Sequence, residues 1–157
     1  MTRRIMTLTA LLAFSALFCL AADKPDYSGV WKLNNAKSDF GPMPQGPDKF
    51  ERTIDHKDPT IKITTVQSMG GNERTTNVEY TINGQEQVIK TPMGEYKATP
   101  AWKDNNLEVA AKREMQGTEI KSLEKWALSP DGKVLTVETS LSTPQGDFTM
   151  KFVLDKQ

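Results

Sequence analysis

The chain is poor in the groups that carry covalent and metal chemistry. Its one cysteine, Cys19, sits in an apolar stretch near the start, and its one histidine is His56. A single cysteine cannot form an internal disulfide, and without a His/Cys cluster at ligand spacing no zinc or copper site is expected. Nucleophilic catalysis needs an activated group beside a base. Nothing around His56 reads as a triad, and in His56-Lys57-Asp58-Pro59 the imidazole is expected to be a solvated turn residue. No loop repeats the alternating oxygen ligands of a calcium site, and Gly70-Gly71 lacks the helix and lysine of a phosphate loop. Nothing fixes the separation of carboxylates such as Glu108 and Glu124. The chain is expected not to be an enzyme and to need no cofactor.

An excess of charge is also missing. Twenty basic side chains balance twenty acidic ones, and they are interspersed. No basic patch is available to release counterions from a phosphate backbone, so nucleic acid is not an expected partner. Sustained spacing of three and four, the mark of amphipathic helices, is absent as well.

What is present begins with a leader. Arg3 and Arg4 precede the apolar run from Ile5 to Leu20, and Ala21-Ala22 follow before Asp23. That order is expected of a cleavable secretory signal over residues 1–22, leaving residues 23–157 as a secreted or periplasmic domain with no integral membrane span. Thr7, Thr9 and Ser15 dilute the run and no basic cluster follows it, which disfavours a retained anchor. Bulky Phe18 before Cys19 disfavours a lipoprotein. Cleavage would leave eighteen basic against twenty acidic side chains, a net charge of −2, and would remove the cysteine.

The rest alternates with period two and is punctuated by turn residues. Runs are read at 27–33, 49–55, 60–67, 73–80, 87–91, 95–102, 107–114, 119–128, 134–141 and 148–154. Between them lie Asp58-Pro59, Gly70-Gly71-Asn72, Asn83-Gly84, Pro92-Met93-Gly94, Pro130-Asp131-Gly132 and Pro144-Gln145-Gly146, each supplying the fixed or positive φ of a tight turn. The longest irregular stretch is Asn34 to Asp48, with one helical turn expected over Asn35 to Phe40. Short connections imply an all-β, antiparallel up-and-down meander, and closure into a β-barrel of about eight to ten strands disposes of its edges, with a two-sheet sandwich as the rival. Pro100 inside the sixth run is expected to bulge that strand or place it at an opening.

The opening Tyr27-Ser28-Gly29-Val30-Trp31-Lys32-Leu33 resembles the first strand of calycins, the lipocalin and fatty-acid-binding families, whose shared hallmark is Gly-x-Trp. The longer opening through Asn34-Asn35-Ala36-Lys37-Ser38-Asp39-Phe40-Gly41 is similar to that of secreted bacterial lipocalin-like proteins of unassigned function. The resemblance implies a barrel that binds a small apolar or amphipathic molecule, with Trp31 as its plug and Gly29 letting the chain bend over the indole. An ordinary core aromatic is the other reading of Trp31. Lipocalins also pack a late arginine over the tryptophan, and here the final runs offer only Lys133 and Lys151.

Taking the more apolar set of each run as the inner face gives Phe50, Ile54, Ile61, Ile63, Val78, Tyr80, Tyr96, Ala98, Trp102, Leu107 and Val109. It continues with Ile120, Trp126, Leu128, Leu135, Val137, Leu141, Phe148, Met150, Phe152 and Leu154. The runs are too short, and lack the aromatic girdles, for an outer-membrane barrel. Arg52, Arg74, Arg113 and Glu124 fall in the same register, with Thr65, Thr76, Ser122 and Thr139. A filled core rarely tolerates four such charges, whereas a cavity holding a ligand head group does. The candidate ligand-binding set is therefore Arg52, Arg74, Tyr80, Tyr96, Arg113, Glu124 and Trp126, the arginines meeting an anionic head and the rings its apolar body. Two other readings stay open: the arginines snorkel to water or pair with Glu124, and the protein is an accessory domain with a filled core, working through its surface or the 34–48 loop. The interior volume separates binder from accessory domain.

Overall fold

The computed structural model describes residues 24–157, so the leader expected over residues 1–22 lies outside the described residues. Ten strands follow one another: β1 (Gly29–Leu33), β2 (Lys49–Lys57), β3 (Thr60–Met69), β4 (Asn72–Thr81), β5 (Gln87–Thr91), β6 (Gly94–Lys103), β7 (Asn106–Met115), β8 (Thr118–Leu128), β9 (Val134–Thr143) and β10 (Gly146–Lys156). Each coincides with one of the ten alternating runs. All pairs are antiparallel, and the hydrogen-bonded order is β4-β3-β2-β1-β10-β9-β8-β7-β6-β5. Pairing of β1 with β10 curls one meander into a nearly closed up-and-down barrel and rules out the two-sheet sandwich. The remaining edges, β4 and β5, face each other across a seam.

Period two decides which residues are inside, because successive side chains point to opposite faces. Trp31 stands across from Arg52, Arg52 from Thr65, and Thr65 from Thr76, so one inward row crosses four strands. Ile54, Ile61, Ile63, Leu107, Val109, Leu135, Val137 and Leu154 are buried as expected, each such side chain contributing about 1.5–3 kcal/mol through lost water contact. Lysines and glutamates on the outer face make exposed cross-strand pairs, such as Lys62 with Glu79 at 3.7 Å.

Two local expectations are resolved. Pro100 does not bulge its strand: Lys97 to Lys103 pair one for one with Lys112 to Asn106. Its carbonyl accepts from Gly84 N–H at 2.9 Å, on the side where β5 has already ended at the Gln87–Ala98 pair. The missing N–H thus faces a loop rather than a ladder. The helical turn in the 34–48 linker is only a 3-10 turn at Asn35–Lys37, its N-terminus closed by the Asn34 side chain accepting from Lys37 N–H at 3.2 Å. Beyond it the linker runs beside β10, with Asp39 and Lys151 exchanging backbone hydrogen bonds of 2.8 and 2.7 Å, then crosses to β3, where Asp48 N–H reaches Ser68 O at 2.9 Å.

Candidate binding site

One end of the barrel is plugged. Tyr27, Trp31, Leu107 and Trp126 are essentially without solvent contact there. Tyr27 ties the plug together: its hydroxyl donates to Trp126 O (3.1 Å) and accepts from Leu107 N–H (3.2 Å), and its carbonyl accepts from Trp31 Nε1 (2.9 Å). Its ring stacks on Trp102 and meets Trp126 edge-on, with centroids 6.1 and 5.6 Å away. Burial pushes the phenol pKa up, against the pull of the Leu107 N–H. The sequence reading did not place Tyr27 inside, although it shares the parity of Gly29 and Trp31 on the same run.

The late basic residue over the tryptophan is Lys156, not Lys133 or Lys151. Its Nζ lies 5.2 Å from the centroid of the Trp31 ring. β10 extends to Lys156, two residues past the alternating run, and pairs it with Trp31. Gly29 makes this possible twice over: its φ is +138°, and a Cβ there would meet Lys156 Cε at 2.7 Å. The expectation for His56 is also overturned. It belongs to β2 and points inward beside Ile61. Only 9% of it is exposed. Its Nδ1 accepts from Tyr27 N–H at 3.3 Å, while Nε2 is buried with no hydrogen-bond partner among the described residues. Desolvation pushes its pKa down, opposed by nearby Asp26 and Asp58, with Lys24 adding slightly to the depression.

Above the plug the barrel is hollow. A cavity of about 480 Å³ opens at the other end, within the range of small-molecule sites. Six of the seven candidate residues, Arg52, Tyr80, Tyr96, Arg113, Glu124 and Trp126, line it, together with Thr65, Thr76, Ser122 and apolar side chains including Phe50, Ile63, Val78, Val109 and Ile120. Arg74 does not. It is exposed at the rim, where its Nη1 donates to Met93 Sδ at 2.9 Å.

The polar groups of the wall are unevenly satisfied. Tyr80 and Tyr96 share a hydroxyl hydrogen bond of 2.7 Å, and Trp126 Nε1 donates to Glu124 Oε2 at 2.9 Å. Burial raises the pKa of both phenols, and the Glu124 carboxylate adds to this, so both stay protonated donors. The Arg52 guanidinium lies 5.2 Å from the centroids of Phe50 and Trp126. Its Nε is buried and unpartnered among the described residues. Arg113 lies over Tyr96 at 5.1 Å. Every ion pair among the described residues is made by a lysine or His56, and none by an arginine. Pairing of Arg52 or Arg113 with Glu124, one of the readings left open, is therefore not what the structure shows.

Beside the cavity runs the seam between β4 and β5, crossed by side chains instead of a ladder. The Gln87 amide accepts from Thr81 N–H at 3.0 Å and donates to Thr81 O at 2.8 Å, reproducing the two hydrogen bonds of one antiparallel rung. The Tyr80–Tyr96 and Arg74–Met93 bonds are the next two crossings toward the open end. Among the described residues no group of His, Cys, Asp or Glu is placed to hold a metal ion, and no helix is long and apolar enough to cross a membrane.

No protein-family model matches the chain, and no curated protein is similar to it in sequence. Solved structures do match. Lobster apocrustacyanin A1 aligns with a TM-score of 0.46 and 10% identity over 83% of this chain and 61% of that one. Zebrafish ileal bile acid-binding protein, crystallised with cholic acid, aligns with a TM-score of 0.57 and 16% identity over 83% of this chain and 98% of that one. At 16% identity the likeness to the bile acid-binding protein establishes the architecture alone: the chain shares its antiparallel up-and-down β-barrel fold.

Proposed function

We propose that this protein binds one small amphipathic anion in the barrel, with the head group against Arg52 and the body along Trp126, Phe50 and the aliphatic wall. The observation that carries the reading is the Arg52 side chain, whose buried Nε has no partner and whose guanidinium makes no ion pair among the described residues, Glu124 being hydrogen-bonded to Trp126 instead. A buried donor left unmade costs about 1–3 kcal/mol, and a carboxylate or similar head recovers that cost. Arg113 and the Tyr80–Tyr96 hydroxyls offer further donors along the same wall. A cavity of about 480 Å³ supports binding over an accessory role for a filled core. The zebrafish protein of similar architecture, which holds cholic acid, supports the ligand class.

Titrating a fluorescent fatty acid into wild type, Arg52→Met and Arg113→Met tests this. Weaker binding in the Arg52 variant is expected; equal affinity in all three removes the reading. The basic, apolar and small-residue order of residues 3–22 supports action outside the cytoplasm. The N-terminal sequence of protein recovered from its host checks that part, Asp23 being the expected first residue.

A further inference from the structure

The two ends of the barrel differ in composition as well as closure. At the plugged end every connection is charged: Lys57-Asp58, the Asn83–Glu86 turn, Lys103-Asp104 and Asp131–Lys133. At the open end the tips carry no charge. They read Gly-Pro-Met-Pro-Gln-Gly-Pro at 41–47, Met-Gly-Gly-Asn at 69–72, Thr-Pro-Met-Gly at 91–94, Met-Gln-Gly-Thr at 115–118 and Thr-Pro-Gln-Gly at 143–146. Four of the five hold a methionine, Met43, Met69, Met93 and Met115, and the last three are 46%, 54% and 50% exposed. Three separate hairpins thus each spend a solvent-facing tip position on an apolar side chain, all around one mouth. Exposed apolar groups clustered in this way mark a contact surface, and the flexible, polarisable thioether suits a fluid partner better than a fixed one.

We propose that the open end docks on a neutral lipid surface, the Met43, Met69, Met93 and Met115 side chains entering the interface with the barrel mouth facing it. Charge decides between occupants. Charge around the tips nearly cancels: Lys49 pairs with Glu73 at 3.0 Å, Lys90 with Glu95 at 3.4 Å and Lys121 with Glu119 at 3.3 Å, and the acidic Asp48, Glu114 and Asp147 stand against Arg74 and Arg113. The face therefore offers little net field to an acidic peptide or an anionic headgroup layer, and it fits a zwitterionic one. A second copy seated mouth to mouth would cover the same methionines but would seal the cavity. This choice of occupant rests on the proposed binding of an amphiphile, a molecule that partitions into lipid surfaces.

The test is flotation of the protein with phosphatidylcholine vesicles, using Met43→Asp/Met69→Asp and the conservative Met43→Leu/Met69→Leu. Neither position lines the cavity wall. Wild type and the leucine variant are expected to float. The aspartate variant should partition about tenfold less, because each carboxylate must be desolvated where a thioether was buried. Backbone amides of 69–72 and 91–94 should gain protection from hydrogen exchange when vesicles are added. Wild type that stays unbound, or aspartate and wild-type proteins that float equally, would overturn the proposal. So would a wild-type dimer in sedimentation that the aspartates abolish, which would assign the face to self-association. Fatty-acid titration of the same proteins without vesicles keeps the two readings apart: absence of ligand binding with flotation intact defeats the cavity reading alone.

Discussion

Arg52→Met has an effect of opposite sign on stability and on binding if the guanidinium is there for a ligand. In the unliganded barrel the substitution removes a buried, unpartnered donor, a gain of about 1–3 kcal/mol. It also removes the contacts over Phe50 and Trp126, a loss of about 0.5–2 kcal/mol for a cation over aromatic faces. Methionine replaces most of the aliphatic stem, so packing changes little. The net expectation is unchanged or slightly higher stability, within about 1 kcal/mol, measured as the urea midpoint at constant slope. Binding moves the other way. A charge-assisted hydrogen bond to a carboxylate is worth about 1.5–3 kcal/mol, so affinity for an anionic ligand should fall about 10- to 150-fold, and affinity for the corresponding neutral alcohol should fall far less. The reasoning is refuted by a variant that loses more than about 2 kcal/mol of stability while binding acid and alcohol as wild type does, since removing a buried salt bridge or packing element costs that much or more.

Other consequences follow from single contacts. Gly29→Ala forces a side chain to φ +138° and onto Lys156, so a loss of about 1–3 kcal/mol is expected in urea denaturation, chiefly from the backbone since the lysine can move. Because the folded pKa of His56 is depressed, its contribution to stability is complete above the unfolded value of about 6.5 and declines as pH falls through it toward the lower folded value. His56→Gln should flatten the stability–pH curve across that window, and a wild-type curve without slope there would disprove the buried neutral imidazole. Asp26, whose pKa is lowered mainly by its hydrogen bonds with Ser28, contributes stability that fades only in the separate window below about 3.8. Removing the side-chain rung with Gln87→Ala should speed hydrogen exchange at the Thr81 amide by about tenfold, without changing that of Ile63, which pairs with Val78 on the intact β3–β4 ladder.

Alternation along the chain determined the ten strands and the face each presents, since a period of two leaves no choice once one side is apolar. The inward positions of Arg52, Glu124 and the Tyr80 and Tyr96 rings followed from the same parity and were legible in the sequence. Parity says nothing about depth along the barrel axis. Arg52, Arg74 and Arg113 look equivalent in a register, yet the fold places Arg52 above the plug, Arg113 over Tyr96 and Arg74 in solvent at the rim. Strand pairing alone could bring Lys156 onto Trp31 from the far end of the chain, and it alone turned His56 from a turn residue into a buried one, because β2 continues past Asp55 to pair with β3. Local sequence sets which way a side chain points; closure of the sheet sets what it meets there, and so whether a charge finds a partner, water or an empty space.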